Sequence, residues 1–183
     1  MTIPSQTPAL FAPTLLWNAR LLMVERATED AEACANWYSQ LLGDPVRQLS
    51  PEAWEVRGAE RWMLFRTGHR KSVPMIAFAF PARAQWNTYR AHLKLIDLPM
   101  HAVSPELQAL LGEHTFGLRD PDNRTLLFCV APHANASNAP EVERRPARLQ
   151  HFVCASMQTI EMLEFYRDIL GFMESDRVVD TDG

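Results

Sequence analysis

Apolar and polar positions change period several times along the chain. Runs over Leu21 to Val24 and over Phe152 to Ala155 predict strands, and each passes through a polar turn into a segment with apolar residues at helical spacing. In the first segment these are Cys34, Tyr38, Leu41 and Leu42; in the second, Met162, Tyr166, Ile169 and Leu170. Gly43 and Gly171 stand where each helix should end, in the left-handed conformation that glycine adopts without a Cβ penalty. Strands over Ala53 to Val56 and Arg61 to Arg66 flank a polar turn at Gly58. Pro74 to Phe80 predicts another strand, and Trp86, Tyr89, Leu93 and Ile96 then share one helical face. Thr115 to Leu118 and Thr125 to Val130 read as strands joined by Asp120-Pro-Asp-Asn, a turn because Pro fixes φ and Asp and Asn tolerate turn geometry. The first 130 residues thus approximate βαβββ twice, without a clear signal for the third closing strand of either module.

The strand-helix-Gly unit is itself repeated. An offset of 128 lays residues 19–43 on residues 147–171 without a gap. Ala-Arg-Leu opens both copies, and Ala27, Tyr38, Leu42 and Gly43 fall on Ala155, Tyr166, Leu170 and Gly171, with Trp37 on Phe165. Residues 1–17 form an irregular lead-in, 18–130 a domain of two modules, 131–146 a linker rich in Pro, Ala, Asn and charge, and 147–183 the start of a second domain. If the second half copies the first, the counterpart of Val130 lies roughly 75 residues beyond Gly183.

Composition narrows the function classes. The 183 residues are 47% hydrophobic and 22% charged, enough apolar material for a packed core. With 18 Lys+Arg against 22 Asp+Glu and a net charge of −4, nothing advertises a nucleic acid or an anionic membrane as partner. The N-terminal stretch lacks a basic region and is broken by three prolines, so it does not read as a signal peptide. Cys34, Cys129 and Cys154 are too few for a disulfide framework, and the expected compartment is the cytoplasm.

Paired βαβββ modules, FYRDILGF after an opening His strand and FGLRDPDNRTLLF before a closing one resemble the vicinal oxygen chelate superfamily, an α+β fold. Residues 147–180 are similar to the start of the catalytic domain of two-domain type I extradiol ring-cleavage dioxygenases, including the run Leu170 to Asp176, and the first half resembles their non-catalytic N-terminal domain. The resemblance implies an Fe(II) enzyme that cleaves a catechol with O2 in aromatic catabolism and forms a homo-oligomer when complete. It also implies two His and one Glu around the iron, leaving one side of the metal open to substrate and O2. The first ligand position is His151. The second His and the Glu are expected beyond Gly183, so no catalytic residue is assigned within this chain, which alone should be inactive. A metal-free binding protein of the glyoxalase and bleomycin-resistance type is the alternative.

The first half offers no such ligands at the matching places. Met23 is the repeat partner of His151, Val73 to Phe80 contains no His, and Leu127 stands where a ligand Glu would be. His69, His92, His101, His114 and His133 form no spaced ligand set and read as surface or structural residues. Trp37, Tyr38, Phe165 and Tyr166 read as core, on helix faces that pack on the sheet. Ser175 and Asp176 are family markers without an assigned role, and the three cysteines read as inert members of apolar patterns.

Overall fold

The computed structural model describes residues 15–58, 61–69, 72–131 and 149–174. Its first module runs β1 (Arg20–Thr28), α1 (Ala31–Leu42), β2 (Val46–Ser50), β3 (Ala53–Arg57) and β4 (Trp62–Thr67). The second runs β5 (Ser72–Phe80), α2 (Arg83–Leu95), α3 (Pro105–Leu111), β6 (Thr115–Arg119) and β7 (Thr125–Val130). One seven-stranded sheet holds both, in the order β2-β3-β4-β1-β5-β7-β6. Each module pairs its opening and closing strands in parallel, β1 with β4 and β5 with β7, and the modules meet where β1 lies antiparallel to β5.

Local chemistry accounts for the boundaries. Asp30 caps α1 by accepting from the Ala33 N–H at 2.9 Å, and Gly43 ends it at φ 72° with its N–H on the Ser39 carbonyl. Gly171 takes the matching conformation at φ 82°, as the repeat predicts. Ser104 caps α3, and Pro105 sits in its first turn, where a missing N–H costs nothing.

Three elements differ from the sequence expectation. β2 is an additional strand at the sheet edge; Val46, Arg47 and Gln48 are all exposed, so no alternation marks them. In the second module α3 takes up chain that the βαβββ pattern would give to a strand, and only a single bridge remains there. The His101 N–H donates to the Gly117 carbonyl at 2.9 Å and the Gly117 N–H returns to the His101 carbonyl at 3.1 Å. Residues 149–156, expected to include a strand over Phe152 to Ala155, form no ladder, because no described strand lies beside them. The expected linker 131–146 and the strand from Ser175 to Val179 fall outside the described residues, except for Ala131.

The His101 bridge leaves no room above Gly117. A Cβ there would overlap the imidazole, lying 2.8 Å from Cδ2 and 2.9 Å from Cε1. Gly117→Ala should therefore cost about 1–3 kcal/mol by overpacking. The penalty should shrink in a His101→Ala background when both are measured by urea unfolding; an equal cost in both would show that the imidazole is not the obstacle.

The pleat divides the core between two faces. Val24 stands opposite Met63 and Ile76, which puts the α1 and α2 contacts on one side. There Ala31 and Ala35 pack on Val56 and Phe65, while Trp86, Tyr89 and Leu93 pack on Ile76, Phe78, Phe80 and Phe128. Two expectations for α1 and α2 need correction: Trp37 is 56% exposed, turned away from the sheet that Tyr38 touches, and Ile96 lies past the end of its helix, 44% exposed. On the other side Met23, Trp62, Leu64, Met75, Ala77, Leu127 and Cys129 pack with Val103 and Leu111.

The second unit docks on the α2 side. It consists of α4 (Thr159–Glu164) continued by a π-helical turn (Phe165–Ile169). Phe165 and Leu170 join the core, Phe172 meets Phe78 edge-on at 5.2 Å, and the Tyr89 hydroxyl donates to the Leu170 carbonyl at 3.0 Å. The apolar face of this unit is thus partly covered, although Val153, Met157 and Ile160 remain exposed.

Candidate functional site

The positions matching ligand sites in the repeat come together in space, and all are apolar. Met23, Leu127 and Met75 of the opening strand β5 lie, together with Leu64 of β4, on the sheet face opposite α1 and α2, each 5% exposed or less, in one packed cluster. Among the described residues no group of three or more His, Cys, Asp or Glu is placed to hold a metal ion. His151 is exposed on irregular chain and belongs to no such group among the described residues. One imidazole with no further ligands does not fit a ferrous ion, which takes three protein ligands in the facial arrangement. Ser175 and Asp176 fall outside the described residues.

Other candidates have structural places. His101 packs over Gly117, and burial together with Arg119 pushes its imidazole pKa down. The His114 ring lies 5.7 Å from that of Trp86. Burial pushes the Cys129 thiol up to about 12 and raises Cys34 and Cys154, so none is a thiolate at neutral pH.

Two buried carboxylates stand beside the apolar cluster, Glu25 between Leu64 and Met75 and Glu55 opposite Leu64. Glu25, two residues beyond Met23, is buried and pairs with Arg66 at 3.3 Å. Glu55, equally buried, pairs with Arg47 at 2.7 Å through one oxygen; the other oxygen has no partner, nor does the buried indole N–H of Trp62, over which the Arg57 guanidinium lies at 4.0 Å. Between the ends of β1, β4, β5 and β7, α3 and residues 153–155 opens a cavity of about 560 Å3 with Glu25, Arg66, Met75, Leu107 and Arg119 among its walls.

Burial raises the Glu25 carboxyl above its ordinary value of 4.5, and Arg66 only partly opposes this. A carboxyl held high in the fold stabilises it below the unfolded value and withdraws that stabilisation as the pH climbs through the folded one. Glu25→Gln should therefore melt above the parent protein at pH 7, and the gap should close below about pH 4. The exposed side of Arg66 passes to water at little cost. Melting curves across that range check this; a lower melting temperature at pH 7 would contradict it.

A second polar centre lies in the Asp120-Pro-Asp-Asn turn, which the sequence marks only as a turn. Asp120 is buried and accepts from the Arg124 backbone N–H at 2.8 Å, from the Arg124 guanidinium at 3.1 Å and from the Tyr166 hydroxyl at 3.1 Å. Arg124 also donates to the Ala155 carbonyl at 2.8 Å, and Gln158 donates to Pro121 and Asp122. Burial and the Asp120 carboxylate push the Tyr166 hydroxyl pKa up, keeping it a donor. The turn clamps the second unit to the sheet. Its partners lie 31 to 46 positions away, beyond the reach of any local pattern.

No family model and no curated protein sequence matches the chain. Solved structures do. BphC, a halotolerant catechol dioxygenase, superposes with a TM-score of 0.68 at 16% identity over 86% of this chain and 56% of its own. Homoprotocatechuate 2,3-dioxygenase from Arthrobacter globiformis gives 0.59 at 19% identity over 96% and 56%. The Mn(II)-bound glyoxalase from Novosphingobium aromaticivorans gives 0.57 at 19% over 85% and 54%. The chain spans little more than half the length of each. Its fold is the α+β arrangement of paired modules of the vicinal oxygen chelate type, as expected from the repeat. No helix among the described residues is long and apolar enough to cross a membrane.

Proposed function

We propose that this chain carries the non-catalytic module pair and the opening unit of the metal-binding half of an Fe(II)-dependent extradiol dioxygenase, acting on a catechol and O2 in the cytoplasm as a homo-oligomer. The observation that carries the reading is the offset of 128, which sets His151 on Met23 within a fold shared with catechol dioxygenases. Met23 sits at the centre of its module's inner face, so the same place in a second module would hold an inward-facing imidazole. His151 would be the first ligand, and the second His and the Glu would come from residues outside this sequence. The described residues supply the scaffold. Their apolar cluster at the matching positions supports a structural role for the first module pair.

A metal-free binding protein is the second reading, favoured by the cavity beside Glu25. The two separate on a form extended at the C-terminus. After anaerobic ferrous reconstitution, such a form should retain iron and consume oxygen with 3-substituted catechols, whereas the 183-residue chain should do neither. His151→Ala in the extended form should abolish iron retention and leave the first module pair folded, since Met23 occupies the equivalent place. Retained iron and ring cleavage in that variant would remove the assignment.

A further inference from the structure

We propose that the cavity bounded by the ends of β1, β4, β5 and β7 binds a small carboxylate with a hydrocarbon body. This open cleft has a volume of about 560 Å3, within the roughly 300–1,000 Å3 of small-molecule pockets. Val73, Met75 and Leu107 supply apolar wall, and a hydrocarbon there would release water from surface that has no better partner.

The charged groups facing the cavity are Glu25, Arg66, Arg119, Asp122 and Arg124. Glu25 is paired with Arg66, and Arg124 is paired with Asp120 at 3.1 Å and Asp122 at 2.8 Å. Arg119 differs from these. Its Nη1 donates to the Asn123 carbonyl at 3.0 Å and to the Thr125 hydroxyl at 2.7 Å, both uncharged acceptors. Among the described residues no carboxylate pairs with it. A ligand carboxylate would supply that counter-charge, and a planar guanidinium can receive it through two parallel hydrogen bonds. Arg66 offers a second cation, 44% exposed and bound to Glu25 through Nε. The site is independent of the proposed ring cleavage, since it uses neither iron nor His151. Residues 153–155 form one wall, so an occupant would touch both the sheet and the second unit.

Calorimetric titration of the 183-residue chain tests this with benzoate, its neutral isostere benzamide, and inorganic phosphate. Benzoate should saturate one site, with benzamide and phosphate at least about tenfold weaker for want of the charge or of the ring. Arg119→Gln should weaken benzoate about tenfold and leave benzamide unchanged, with partial recovery in Arg119→Lys. Leu107→Trp, which narrows the cavity with a larger wall residue, should weaken both. The proposal is overturned by absence of saturable benzoate binding, by phosphate binding as tightly as benzoate, or by unchanged benzoate affinity in Arg119→Gln. If Leu107→Trp fails to fold, the Arg119 pair alone decides.

Discussion

Phe128→Ala should lower the unfolding free energy by about 3–5 kcal/mol, moving the urea midpoint with little change in slope. Phe128 is fully buried on β7, and its ring lies 5.5 Å from Phe78, 5.3 Å from Tyr89 and 5.4 Å from Phe116. Removing it opens a hole bounded by two neighbouring strands and α2. The backbone around the hole is pinned, since the Phe128 carbonyl accepts from the Trp86 indole at 3.0 Å and β7 is paired on both edges. Collapse is therefore restricted, which places the cost toward the upper end. Phe128→Leu keeps most of the volume and should cost less than half as much. A loss under about 1 kcal/mol for the alanine variant would contradict the central place assigned to this ring.

Arg61→Ala should cost about 3–5 kcal/mol by a different route. Arg61 and Asp44 are 6% and 7% exposed and hydrogen-bonded to each other, and Arg61 also donates to the Leu42 carbonyl at 2.9 Å at the end of α1. Gly58 closes over the carboxylate, so that a Cβ there would come within 2.7 Å of Asp44 Oδ2. Water has little access to replace the guanidinium, and the variant leaves an uncompensated buried charge. Removing both groups avoids that penalty. Asp44→Ala combined with Arg61→Ala should lose less than the two single variants summed in a double-mutant cycle; a double variant as unstable as that sum would show that the pair is not coupled.

These two sites illustrate what the sequence reveals and what it hides. Phe128 lies in an apolar run beside a turn signal, and the period there is enough to call it core. Gly43 and Gly171 were legible for the same reason, because each local pattern asks for a left-handed residue and the repeat supplies the request twice. Asp44 and Arg61 carry no such signal, since they precede β2 and β4 and meet only when both strands have paired with β3. β2 escaped because an edge strand with exposed side chains has no alternation to show. α3 left a trace in Ser104-Pro105-Glu106, a helix start that is easily passed over in so short a segment. At the candidate site, the sequence marks Met23 and Leu127 as apolar where ligands would stand; that they share one packed face, like the Asp120 clamp and the cavity, depends on contacts between distant residues.

The seam between β1 and β5 also has a kinetic side. Each module closes with a parallel pair, so its opening strand waits for a partner that arrives only after an intervening helix and further strands. The register brings Met23 to Trp62 and Met75 to Thr125, contacts that repay loop closure late in the search. Until then β1 and β5 are bare edges rich in Met, Val, Ile, Ala and Phe, open to pairing with any neighbouring chain. Their antiparallel union hides one edge of each at once. A seam that zips early therefore shortens the time for which those edges stand open.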